Sequence, residues 1–276
     1  MIDIPLGELA ALSAALLAAG IVTGLMAGLF GVGGGAVIVP VLYQVFQMMG
    51  VPEEVRMHLA VGSSLAIIIP TSIQSFRSHY AKGAVRMDVL KVWAVPVVAG
   101  VMAGGVVAAH APALVLKLVF VVVATTIVIK TFSGRDDWRL ADDLPGRRTL
   151  GFYGFGIGLA STLMGVGGGA MANMVFALYN RSIHSAVATS SGLGVLISLP
   201  GALGYVIAGW PKMAMLPPFS LGYVSLIGAA MIAPTAALAA PYGARLAHRL
   251  PRRKLEIAFG VFLTVVCLRF LADILL

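Results

Sequence analysis

Apolar residues run in long blocks along the chain, at 9–30, 35–49, 59–76, 92–110 and 113–132. After a polar stretch at 133–149 they resume at 150–164, 170–180, 185–208, 219–243 and 257–275. A helix that crosses a bilayer needs about 20 mostly apolar residues. The second block of each half falls short of that, with 15 residues at 35–49 and 11 at 170–180. These two blocks read as broken or re-entrant helices. The pattern predicts an all-α integral membrane protein in which each half carries one such hairpin plus three spanning helices.

The halves echo one another. Gly31-Val32-Gly33-Gly34-Gly35-Ala36 recurs as Gly165-Val166-Gly167-Gly168-Gly169-Ala170, and His58-Leu59-Ala60-Val61-Gly62-Ser63-Ser64 as His184-Ser185-Ala186-Val187-Ala188-Thr189-Ser190. Pro112, Phe120, Thr125 and Lys130 fall on Pro251, Phe259, Thr264 and Arg269 at one constant offset of 139. Three echoes in the same order define two copies of one five-segment unit, 9–132 and 149–275, joined by a linker at 133–148 within a single transporter domain.

Charge orients the copies. Only 11% of the 276 residues are charged, and 59% are hydrophobic, which excludes an ordinary soluble domain. The first copy is basic in the loop 77–91 (Arg77, Lys82, Arg86, Lys91) and the second in 244–254 (Arg245, Arg249, Arg252, Arg253, Lys254), which are not equivalent positions. Basic loops mark the cytoplasmic side, so the copies are expected to cross in opposite directions, as inverted-topology repeats do. With the hairpins returning to their own side, 15 of the 19 basic residues fall on the cytoplasmic face and both chain ends lie outside. Lys117 and Arg269 sit in helices near outer ends, where they could snorkel. The net charge of +8 thus records topology and gives no reason to expect nucleic acid.

The glycine runs carry the candidate chemistry. Each string fits the dinucleotide pattern G-x-G-x-x-A, but that motif needs a βαβ unit, which cannot stand in hydrocarbon. Pairs at four-residue spacing, such as Gly20 with Gly24, Gly100 with Gly104 and Gly154 with Gly158, suit close helix packing. Three consecutive glycines disfavour helix by roughly 1 kcal/mol each relative to alanine, so Gly33–Gly35 and Gly167–Gly169 are expected breaks. The helices beginning near Ala36 and Ala170 then present free N–H groups and the positive end of the dipole to a ligand, an anion site without a cationic side chain.

Ser63, Ser64, Thr189, Ser190 and Ser191 are candidates to complete it by donating hydroxyl protons, unless they bond back to their own helices; Asn173 begins the second short helix and can help. His58 and His184 are the candidates for proton coupling, although an interfacial position beside Arg56 and Arg181 is the preferred reading. All eleven carboxylates lie at ends or in loops, against cation transport. Asp136, Asp137, Asp142 and Asp143 interleave with arginines, which fits a solvated linker better than a metal site. Cys267 is the only cysteine. No metal, cofactor or catalytic set is expected.

With its twin GVGGG elements and the H-x-A-V-x-[ST]-S echoes, the chain resembles the sulfite exporter TauE/SafE (TSUP) family over roughly 9–275. The resemblance implies a permease for sulfur-containing anions such as sulfite, thiosulfate or organosulfonates, with a small anion and the lipid bilayer as partners. The second copy has Met174 where the first has Pro40, so the two helix starts differ. The expected function is a plasma-membrane permease, an exporter, working by alternating access. An anion channel and a membrane-embedded enzyme are the rivals.

Overall fold

The computed structural model describes residues 6–30, 35–133, 140–247 and 252–275. Ten α-helices occupy most of these: α1 (Leu6–Phe30), α2 (Gly35–Met48), α3 (Glu53–Ala81), α4 (Met87–His110), α5 (Ala113–Ser133), α6 (Arg147–Met164), α7 (Gly169–Leu178), α8 (Ile183–Gly209), α9 (Leu226–Ala247) and α10 (Arg252–Leu275). Six of them, α3, α4, α5, α8, α9 and α10, are long and apolar enough to cross a membrane. The chain is an all-α multi-pass membrane protein. Between α8 and α9 lies one feature the apolar pattern does not foretell, a 3-10 helix (Trp210–Met215) and a two-stranded hairpin of β1 (Ser220–Leu221) with β2 (Val224–Ser225).

The outward faces suit lipid. Val106, Leu203, Leu238 and Val265 are each more than half exposed, a burden in water and ordinary contact in a bilayer. Prolines inside helices, among them Pro40, Pro70, Pro96 and Pro200, are tolerated because neighbouring helices cover the freed carbonyls.

Inside, small residues set the spacing. The seam between α1 and α9 runs parallel: a Cβ on Gly24 would lie 2.2 Å from the Ala236 carbonyl oxygen, and one on Gly243 2.1 Å from that of Leu25. The α6–α4 seam is parallel too, with a Cβ on Gly158 falling 2.2 Å from the Val97 oxygen and one on Gly104 3.1 Å from that of Leu159. Gly158 follows Gly24 by 134 positions and Ala236 follows Val97 by 139, the offsets of the sequence echoes. Helix α3 instead packs antiparallel on α8, Gly62 meeting Tyr205 at one end and Phe76 meeting Gly192 at the other. Helices α5 and α10 are antiparallel as well, with Lys117 opposite Asp273 and Thr125 opposite Cys267.

One expectation is corrected here. Lys117 does not snorkel; it is 2% exposed, and its ammonium donates to Glu53 at 2.8 Å and Asp273 at 2.6 Å. Tyr43 donates to the same Asp273 oxygen at 2.6 Å, and the Arg56 guanidinium sits 5.4 Å from the Tyr43 ring. Asp273 lies in the last turn of α10, at the end of the last candidate span. Its charge is compensated, which is why helix α10 tolerates it.

Candidate functional site

The second glycine element breaks the chain as its composition demands. Helix α6 ends at Gly165 in the left-handed region (φ 71°), and the Val166 N–H turns back to the Ser161 carbonyl at 3.0 Å. Gly168 is left-handed again (φ 73°) and caps α7 without any side-chain acceptor. A side chain at either position would be strained. Helix α7 begins at Gly169, and its first intrahelical bond runs from the Ala172 N–H to the Gly168 carbonyl at 2.9 Å. The amides of Gly169, Ala170 and Met171 are therefore left without helical partners.

This break sits in the middle of the bundle and touches the start of the other short helix. A Cβ on Gly35 would lie 2.5 Å from the Gly165 carbonyl oxygen, and one on Gly167 would sit 3.4 Å from Ile68 and 3.5 Å from Gly194. Gly35 and Ala36, which open α2, are buried. Gly33 and Gly34 lie outside the described residues.

The predicted hydroxyls divide by the bonds they make. Ser64 donates to the Gly165 carbonyl at 2.7 Å and so fastens α3 to the break. Ser190 and Ser191 donate to the Val187 and Ala188 carbonyls of their own helix at 3.0 and 2.6 Å. These three protons are engaged by backbone rather than held for a ligand. Ser63 accepts the Ser225 N–H at 2.8 Å, and Thr189 accepts the Arg86 N–H at 3.0 Å. Arg86 and Ser225 are themselves 139 positions apart, so each of these hydroxyls holds the start of a matched helix. Asn173, in α7, keeps a buried carbonyl oxygen without a partner among the described residues.

The two histidines have different surroundings. His58 is 4% exposed; its Nε2–H donates to the Ala111 carbonyl at 3.1 Å, its Nδ1 is unpartnered, and its ring lies 5.0 Å from that of Tyr223. Burial pushes the Tyr223 phenol up, so it stays neutral. His184 is exposed in the first turn of α8.

One residue that sequence patterns missed lies beside the break. Ser161 is fully buried, its Oγ has no hydrogen-bond partner among the described residues, and a Cβ on Gly168 would lie 3.2 Å from it. A buried hydroxyl is normally paired. This one lies near the start of α7, whose first amides lack helical partners. The signal that could have found it is its position one turn before Gly165, on the face that ends at the break.

Comparison with known proteins identifies relatives of the chain. A family profile described as "Sulfite exporter TauE/SafE" matches residues 16–270. The chain is 30% identical over 253 residues to a "Probable membrane transporter protein" of Haemophilus influenzae, covering 90% of this chain and 94% of that one. It is 26% identical over 252 residues to a probable membrane transporter protein of Methanocaldococcus jannaschii, covering 91% and 92%. No solved structure matches it.

Proposed function

The chain belongs to the sulfite exporter TauE/SafE family, and on that premise we propose that this membrane transporter is a permease for a small sulfur-containing oxyanion such as sulfite or an organosulfonate. The family and the relatives named above are transporters, not enzymes. The observation that carries the anion reading is the start of α7, where left-handed Gly168 leaves free amides beside the unpaired, fully buried Ser161 hydroxyl. In this reading the anion rests between the starts of α7 and α2, at Gly167, Gly168, Gly169 and Ala170 on one side and Gly35 and Ala36 on the other; Gly33 and Gly34, also expected as ligands, lie outside the described residues.

Two inverted repeats, 9–132 and 149–275, give the motion a basis. The antiparallel pairing of α3 with α8 and of α5 with α10, and the matched glycine seams, support the relation. A repeat rocking against the other would expose the midplane site to each side in turn. An inside-negative potential favours outward movement of an anion by ~2.3 kcal/mol per charge per 100 mV, so a plasma-membrane uniporter would export unaided. A reporter fused after Leu276 should read external, and a cytoplasmic reading would reverse the orientation.

The direct test is flux of sulfite, sulfate, thiosulfate and a sulfonate in proteoliposomes of purified protein. Saturable flux of one of them, lost in Gly168→Val with protein still in the membrane, is expected. Unchanged flux in that variant would remove the glycine site, and currents that fail to saturate would favour a channel.

A further inference from the structure

Outside the glycine site, a cavity of about 460 Å³ opens between the first turns of α4 and α6, the segment 143–145 and the turn before α8. Three arginines and two aspartates line it. Arg86 is paired with Asp88 at 2.6 Å, and Arg181 is paired with Asp143. Arg147 makes no ion pair or hydrogen bond among the described residues, and the Arg181 Nε–H is buried without an acceptor. Among the described residues, one uncompensated guanidinium therefore lines a space shared with two paired arginines.

Helix stability does not explain Arg147. It opens α6, whose first turn has no acidic residue and whose N-cap is Gly146 without a side-chain cap. A cation there meets the positive end of the helix dipole, an unfavourable placement, and the free amides of that turn add to the positive potential. The cavity has room for well over ten waters at ~30 Å³ each, so it suits an oxyanion with much of its water shell rather than a stripped one.

The cavity also connects to the bundle. Arg86 lines it, while its backbone N–H is held by Thr189 of α8. At the matched helix start in the other half, Ser225 replaces Arg86; Ser13 precedes Arg147 by the 134-residue offset of the glycine elements. The charge is thus built into one end of an otherwise matched pair.

We propose that this arginine cavity binds a small oxyanion and loads the transporter from this face alone, which the distribution of basic loops places in the cytoplasm. The proposal rests on the anion-permease reading and adds the side from which the substrate enters. The opposite end, without these charges, releases the anion more readily than it captures it.

Two measurements test it. In purified protein in neutral detergent, phenylglyoxal labels accessible arginines, and mass spectrometry reads each site. Millimolar sulfate or a sulfonate should slow labelling at Arg147 and Arg181 but not at Arg77; no protection overturns the site. In phosphatidylcholine vesicles sorted by orientation and held at zero potential, Arg147→Gln should raise KM for sulfite presented to the cytoplasmic face about tenfold, with partial recovery in Arg147→Lys. The outward Vmax and the KM from the other face should stay unchanged and the inward Vmax fall in the same proportion, because an uncoupled carrier keeps Vmax/KM equal in the two directions. No change, or an equal change of KM at both faces, overturns one-sided loading. Protection that requires phosphatidylglycerol assigns the cavity to a lipid headgroup and overturns it as well. Protection of Arg147 in a protein that carries no oxyanion would instead leave the site standing and refute the permease reading.

Discussion

Replacing Ser161 by alanine separates an anion site from mere packing, because the two readings predict opposite pairs of results. The hydroxyl is fully buried and unpaired, and leaving such a group unsatisfied costs about 1–3 kcal/mol. In ligand-free protein Ser161→Ala should therefore unfold at a higher temperature. A hydroxyl that donates to a charged acceptor contributes about 1.5–3 kcal/mol, so the same variant should bind sulfite ten- to hundredfold more weakly, at about 1.4 kcal/mol per tenfold. Thermal unfolding in detergent, with and without sulfite, reads both effects. At a sulfite concentration 100 times the wild-type Kd, the ligand stabilises the wild type by ~2.7 kcal/mol and a tenfold weaker variant by about half of that. A variant that is less stable without ligand, yet equally protected by sulfite and unchanged in flux, would refute the reasoning.

Other substitutions probe the scaffold. Gly158→Ala pushes a Cβ into the Val97 carbonyl at 2.2 Å, whereas Gly156→Ala meets nothing within 4 Å; the first should lose about 1–3 kcal/mol and the second gain about 1 kcal/mol in thermal unfolding. Asp273→Leu leaves buried Lys117 with Glu53 alone and should cost about 3 kcal/mol, much of it restored in Lys117→Met with Asp273→Leu; failure of the double variant to recover would mean that the network does more than balance charge. A His58→Gln, His184→Gln double variant should keep the wild-type dependence of transport on pH, since His58 binds Ala111 and His184 is exposed; a flattened profile would make one of them a proton carrier.

Much of the architecture is legible because the bilayer imposes it. The six long helices and the two short ones, α2 and α7, follow from the lengths of apolar runs, since hydrocarbon leaves few other options for the backbone. The break at Gly165–Gly168 follows from glycine's access to positive φ. What remained hidden depends on contacts between distant segments. Lys117 resembles a snorkelling residue until Asp273, 156 positions away, is brought beside it. The serine row after each histidine looks like one set of ligands, yet Ser64 ties down the break while Ser191 bonds its own helix. Ser161 carries no echo, because Ala27 stands 134 positions before it.

The crossed seams have a consequence for how the protein is made. Helix α1 leaves the ribosome early, but its glycine face is completed only by α9, and the Gly100–Gly104 face of α4 waits for α6. Neither half can close on itself during synthesis. The first five helices must stand in the bilayer with open grooves until the second half threads between them, so this chain is expected to depend on an insertase or chaperone through most of its translation, and its halves to accumulate only when expressed together.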